Sequence, residues 1–162
     1  MKTIYLAGGC FWGLQKFIDQ FDGVAETETG YANGPDKAPS YREVCADSGH
    51  AETVRIVYDS AKLPLEKLLN YYYLVIDPLS VNRQGEDEGI QYRTGIYYTD
   101  PADLDAIRAV CVREAEKAGA PLAVEVAPLV NFFSAEEYHQ KYLEKNPNGY
   151  CHIPKSFFSL QT

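Results

Sequence analysis

The chain has 162 residues, 46% hydrophobic and 23% charged, which suits a single domain over residues 1–162 and leaves no room for two. Lys and Arg number 15 against 23 Asp and Glu, and the net charge of −8 speaks against nucleic acid or an anionic membrane surface as partner. No apolar run approaches the roughly 20 residues that cross a bilayer, and the four cysteines are too sparse for a secreted disulfide scaffold and lack zinc-type spacing. The expectation is a cytoplasmic protein with reduced thiols and no metal site.

Thr3 to Ala7 is short, apolar and β-prone and runs through Gly8-Gly9-Cys10 into the helix-compatible stretch Phe11 to Gln20, which puts Cys10 at a helix start. The apolar stretch before Cys10 has about four residues, below the roughly 7 to 15 of a signal core, so Cys10 is read as part of the mature fold. Val24 to Ala32 and Ala51 to Tyr58 alternate as strands, with the turn signal Asn33-Gly34-Pro35 between them. Pro64 opens a helix over Leu65 to Ile76 that Asp77-Pro78 ends. A polar glycine loop from Asn82 to Gly89 precedes a fourth strand, Thr94 to Tyr98, and a second long helix, Pro101 to Ala118. Ala123 to Ala127 fits a fifth strand, and the Ser-x-x-Glu spacing of Ser134 and Glu137 predicts a capped short helix through Tyr142, followed by a loop-rich tail. This succession predicts an α+β two-layer sandwich with a ferredoxin-like β-α-β-β-α-β core and a loop-rich C-terminal tail.

Cys10 is the sharpest chemical feature. Backbone N–H groups and the positive end of the helix dipole favour its thiolate, whereas a free thiol of pKa ~8.5 is only about 3% ionised at pH 7. Phe11 and Trp12 place two rings beside it. Glu52 opens an alternating strand; on the inner face it would be desolvated and hold a proton at neutral pH, on the outer face it would be an ordinary surface carboxylate. Tyr41 and Tyr92 lie in predicted loops, as hydrogen-bond donors or as cover for the core. Asp87 sits in an acidic turn without calcium-loop spacing, and Cys151 in a glycine-containing tail where a thiol could swing to another. Cys45 and Cys111 read as packing residues, and His50 and His139 as surface positions. Three classes remain open on these residues: a thiol-dependent redox enzyme, a hydrolase or acyl transferase pairing Cys10 with a His, and a binding module with an inert Cys10.

The longer segments narrow the choice. GCFWG at 9–13, YREVC at 41–45, GHAE at 49–52, NRQGEDEGIQYR at 82–93, FFSAEEYHQKYL at 132–143 and NPNGYC at 146–151 together resemble the peptide methionine sulfoxide reductase A family, in the same order, over about residues 3–153. The resemblance implies that Cys10 is the nucleophile, that Phe11 and Trp12 hold the S-methyl group, and that Glu52 is the acid. It also implies that Tyr41 and Tyr92 help bind the sulfoxide oxygen, that Asp87 belongs to the pocket, and that Cys151 is the recycling cysteine. No bound cofactor is implied; thioredoxin, or dithiothreitol in its place, would be the external reductant, and oxidised proteins and free methionine S-sulfoxide the substrates. Some members carry a second recycling cysteine farther on, and no cysteine follows Cys151 here, so a single exchange is expected. A monomer is expected for a small reductase that admits varied polypeptides.

Overall fold

A computed structural model describes residues 1–160. Six strands form one sheet in the order β7-β6-β1-β3-β2-β8, with β1 Lys2–Ala7, β2 Val24–Ala32, β3 Ala51–Tyr58, β6 Gly95–Tyr98, β7 Glu125–Pro128 and β8 Phe132–Ser134. Neighbours from β6 through β8 pair antiparallel, and β7 joins parallel to β6. Helices α1 (Phe11–Asp19) and α3 (Leu65–Leu74) follow β1 and β3, as expected of a mixed helix-and-sheet fold, with a short helix between β2 and β3 and a hairpin between α3 and β6. The second long helix, α4 (Leu104–Ala118), ends on Gly119 in the left-handed conformation and packs on α3.

The helices share one face of the sheet because their apolar residues meet alternate residues of the strands. Phe11, Leu14, Phe17 and Ile18 of α1 and Leu65, Leu68, Leu69 and Tyr72 of α3 pack with Ile4, Leu6, Val54, Ile56, Tyr58 and Ile96 in one buried cluster. Burying each large side chain stabilises the fold by about 1.5–3 kcal/mol. The opposite face holds a smaller group, Ala7, Ala32, Ala51 and Tyr97, packed against Tyr5 and Phe132.

Two local expectations fail. Ser134 lies in strand β8 and caps nothing; Glu137–His139 form one 3-10 turn, and a four-residue helix, α5, follows at Tyr142–Lys145. The capping box forms instead at Ser40, whose hydroxyl accepts from the Glu43 N–H at 3.2 Å while Glu43 accepts from the Ser40 N–H at 3.0 Å, opening the short helix α2, Tyr41–Cys45. The glycine loop at 82–89 is ordered as a hairpin of β4 (Arg83–Gln84) and β5 (Asp87–Glu88). It is fastened to the end of α3: Gln84 accepts from the Asp77 N–H at 2.7 Å and donates to the Asp77 carbonyl at 3.0 Å.

Candidate active site

Cys10 is the residue before the first turn of α1, in extended conformation and 7% exposed. Gly9 before it has φ +75°, which glycine adopts without steric cost, and a Cβ there would lie 2.7 Å from Gln84 Cβ and 2.8 Å from His152 Cε1. The Gly9 N–H donates to the Tyr92 carbonyl at 3.3 Å, tying the Cys10 loop to the segment that carries Tyr92.

Glu52 faces inward. With Val54, Ile56 and Tyr58 on the helix-covered side, the two-residue period of β3 carries Glu52 to that same face, where it is 1% exposed. Its Oε1 accepts from the Phe11 N–H at 3.2 Å, and its Oε2 is buried without a partner. Burial pushes the carboxyl up to about 8; the Phe11 N–H acts against this and the Asp87 charge adds to it. Glu52 is therefore mostly protonated at neutral pH, with one oxygen uncommitted.

The same burial reverses the expectation for Cys10. Desolvation first, then the charges of Glu52, Asp87 and Cys151, raise the thiol well above its ordinary value, and the Trp12 backbone N–H is the one opposing contact. The helix start does favour thiolate, but in a dry site desolvation outweighs it. The resting group is a thiol.

Two rings flank it. Phe11 is fully buried, 5.7 Å from the Tyr31 ring and 5.2 Å from that of His139, centroid to centroid. Trp12 is half-buried and held on two sides: its indole stacks on Tyr142 at 3.8 Å and 14°, and its N–H donates to His139 Nδ1 at 2.8 Å. Tyr41 is the first residue of α2 and Tyr92 ends a 3-10 turn, so neither is in the expected loop. Burial, then Glu52, raises both phenols, which keeps them neutral donors. Glu52 thus acts electrostatically on Cys10, Tyr41 and Tyr92 alike, and Asp87 on Cys10, Glu52 and Tyr92. The hairpin places Asp87 there, with Oδ2 buried and unpartnered, instead of in a solvated acidic turn.

Cys151 is not in a freely swinging tail. It is half-buried against α1, its Sγ where a Cβ of Gly13 would lie, and it accepts from the Ile153 N–H at 3.3 Å. A cavity of about 380 Å³ lies on its outer side, lined by Lys16, Leu143, Ile153 and Phe158 among others. Cys45 is exposed, so the packing expectation for it fails; Cys111 is half-buried with Sγ 3.1 Å from the Tyr73 hydroxyl.

The two histidines read as surface residues are both buried. His50 is engaged by Ser48 Oγ at 2.8 Å and the Pro35 carbonyl at 2.9 Å. His139 holds Trp12, and Glu136 close by accepts from the Tyr41 N–H at 3.0 Å and the Tyr31 hydroxyl at 2.8 Å. Reading residues singly missed His139, Glu136, Gln84 and His152; the only signal was that the first two fall in FFSAEEYHQKYL and Gln84 in NRQGEDEGIQYR. Among the described residues no three His, Cys, Asp or Glu side chains gather as a metal site, and no helix is long and apolar enough to cross a membrane.

Comparison with known proteins places the chain in a family. A family model described as peptide methionine sulfoxide reductase matches residues 2–161. A protein of Lachnoclostridium phytofermentans named peptide methionine sulfoxide reductase MsrA is 59% identical over 158 residues, covering 97% of this chain and 95% of its own. One of the same name from Clostridium acetobutylicum is 57% identical, covering 96% of each. Among solved structures, reduced Mxr1 of Saccharomyces cerevisiae superposes with a TM-score of 0.88 at 36% identity, over 93% of this chain and 88% of that one. Mxr1 in complex with Trx2 superposes at 0.62 and 24% identity, covering 87% of this chain and 84% of that one, which speaks to the fold alone. With that match over nearly its whole length, the chain belongs to the peptide methionine sulfoxide reductase family, the MsrA oxidoreductases that act on methionine sulfoxide.

Proposed function

We propose that this protein reduces the S epimer of methionine sulfoxide, free and within oxidised proteins, with Cys10 as nucleophile and Glu52 as acid. The observation that carries the reading is Glu52: a carboxyl buried among apolar residues, held protonated to about pH 8, with Oε2 free. Sulfoxide sulfur is electrophilic, but its oxygen is a poor leaving group until protonated, so the reaction needs a thiol and a proton donor in one dry site. Phe11 and Trp12 enclose the S-methyl group, while the neutral phenols of Tyr41 and Tyr92 donate to the oxygen and Asp87 completes the polar side of the pocket.

In this scheme Glu52 protonates the oxygen as Cys10 sulfur attacks, and the proton given up by the Cys10 thiol returns to Glu52. The methionine sulfur is reduced by two electrons, and the Cys10 sulfur, oxidised by two, carries the oxygen as a sulfenic acid. Cys151 then displaces that oxygen as water and forms the disulfide. Thioredoxin, the kind of partner named for the yeast Mxr1 complex, attacks the disulfide and restores both thiols. The test is methionine formed from a peptide carrying each sulfoxide epimer, with dithiothreitol. Turnover of the S epimer alone is expected; no turnover of it by folded protein overturns the proposal.

A further inference from the structure

His152 follows the recycling cysteine and is used by no step above, yet its side chain is only 6% exposed. Its ring lies against the turn that presents Cys10: a Cβ on Gly9 would fall 2.8 Å from His152 Cε1, and one on Gly85 would fall 3.1 Å from His152 Cβ. Both glycines have positive φ, +75° and +60°, so this seat is made by backbone that larger residues would strain and also fill. Neither ring nitrogen makes a hydrogen bond of good geometry. Nδ1 stands 3.9 Å from Asp87 Oδ2, which is itself buried and unpartnered, and the Val75 carbonyl also faces the ring. Burial keeps the imidazole neutral, so it retains one N–H to donate.

Consecutive side chains of the segment therefore straddle the Cys10 loop. Cys151 lies on Gly13 beyond Cys10, and His152 on Gly9 before it. A buried carboxylate oxygen and a buried imidazole, both unpartnered and within an ångström of bonding distance, leave a contact to be gained by a small inward shift of the segment.

We propose that His152 is the positioning residue of the recycling step: seated between the Gly9 and Gly85 backbones and facing Asp87, it holds the segment so that Cys151 reaches the oxidised Cys10. The inference rests on the assignment of Cys10 as nucleophile and Cys151 as recycler. In the step it serves, a sulfur–sulfur bond forms, the sulfur–oxygen bond of the Cys10 sulfenic acid breaks, and the oxygen leaves as water with the Cys151 proton.

The experiment is a single turnover without reductant, using one equivalent of S-sulfoxide peptide, in which methionine, free thiols and dimedone-trapped sulfenic acid are followed in time. Wild type should form about one methionine per enzyme and lose two thiols without trappable sulfenic acid. His152→Ala should keep the methionine burst but close the disulfide about tenfold or more slowly, within the roughly 10²-fold that an ångström of misplacement costs, and accumulate the dimedone adduct on Cys10. His152→Gln, which keeps a donor on a flexible stem, should recover much of the closure rate, a rescue that a purely structural role would not require. Closure at the wild-type rate in His152→Ala, or equal loss of burst and closure in both variants, overturns the proposal. Wild type that forms no methionine, or forms it without losing two thiols, would instead overturn the assignment on which it rests.

Discussion

Glu52→Gln should yield a protein that is more stable and nearly inactive, and the gain in stability should depend on pH in a direction that the structure sets. The carboxyl is held at about 8 in the fold against 4.5 for the free group. Between those values the folded chain keeps a proton that the unfolded chain releases, so stability is full below about pH 4.5, falls as pH rises, and levels off above about 8. At ~1.4 kcal/mol per pH unit the cost reaches about 3 kcal/mol at pH 7 and about 5 at the plateau, a large share of the 5–15 kcal/mol typical of a domain. Glutamine keeps the oxygen that accepts from the Phe11 N–H and has nothing to ionise, so its own burial cost does not vary with pH.

Urea unfolding of reduced wild type and variant at pH 5, 7 and 8.5 measures this, because titrating groups remote from Glu52 cancel in the difference at each pH. The variant's advantage should grow by several kcal/mol from pH 5 to pH 8.5 while its first-turnover rate at pH 7 falls about 10²-fold or more, the size of a general-acid contribution. A difference in stability that is flat with pH would refute the burial argument, and a wild-type first turnover would remove Glu52 from the acid role.

Cys10→Ser should form no methionine in a single turnover, whereas Cys151→Ser should form about one per enzyme and then stall with thioredoxin, because its sulfenic acid has no partner thiol; thiol counts and methionine release read both. Gly13→Ala, which would favour the helix by about 0.5–1 kcal/mol on propensity, places a Cβ where Cys151 Sγ now lies and should slow disulfide closure without reducing the first turnover, as followed by quenched thiol titration. His139→Phe keeps a buried ring but releases the Trp12 indole N–H; losing a bond worth about 1 kcal/mol should raise KM about fivefold with little change in kcat. In Glu52→Gln, Cys10 should react faster with iodoacetamide than in wild type at pH 9 and at a similar rate at pH 6, since the carboxylate that raises the thiol exists only above about pH 8; peptide mapping separates Cys10 from the exposed Cys45.

The elements that proved legible in the sequence carry their own periodicity. Val24–Ala32 and Ala51–Tyr58 were readable because a sheet with one covered face needs a period of two, and Leu65–Leu74 because Pro64 and the apolar stripe mark its start and inner face. The same period could not tell on which side Glu52 lies, since alternation has two phases and the covering helices decide between them. The Ser-x-x-Glu spacing occurs at both Ser134 and Ser40 but caps a helix only at Ser40, because a capping box is local chemistry subject to tertiary claims: the backbone of residues 132–134 is taken by pairing with β2, while Ser40 opens α2. The burial of His139 is hidden from local sequence for a similar reason. No helical face exists at 134–140 to count residues on, and its burial comes from Phe11, Trp12 and Tyr41, far away in sequence.

Cys10 shows how a correct local argument can lose to its surroundings. A thiol at a helix start after two glycines does meet a favourable N–H, but Gly9 also lets Gln84 and His152 pack against the backbone beside it, and desolvation then outweighs the helix end. A thiol that is un-ionised at rest is poorly reactive toward indiscriminate oxidants and alkylating agents, since the thiolate is the reactive form. In the proposed reaction the proton that suppresses it is complementary to the one Glu52 holds: having given its proton to a bound sulfoxide, Glu52 would become the base that receives the proton from Cys10. On that proposal acid and nucleophile would be activated together by the substrate's basic oxygen, and their titrations would belong to the pair as a unit. Burial that looks unfavourable for each group alone would then confine reactivity to the moment when a sulfoxide lies between them.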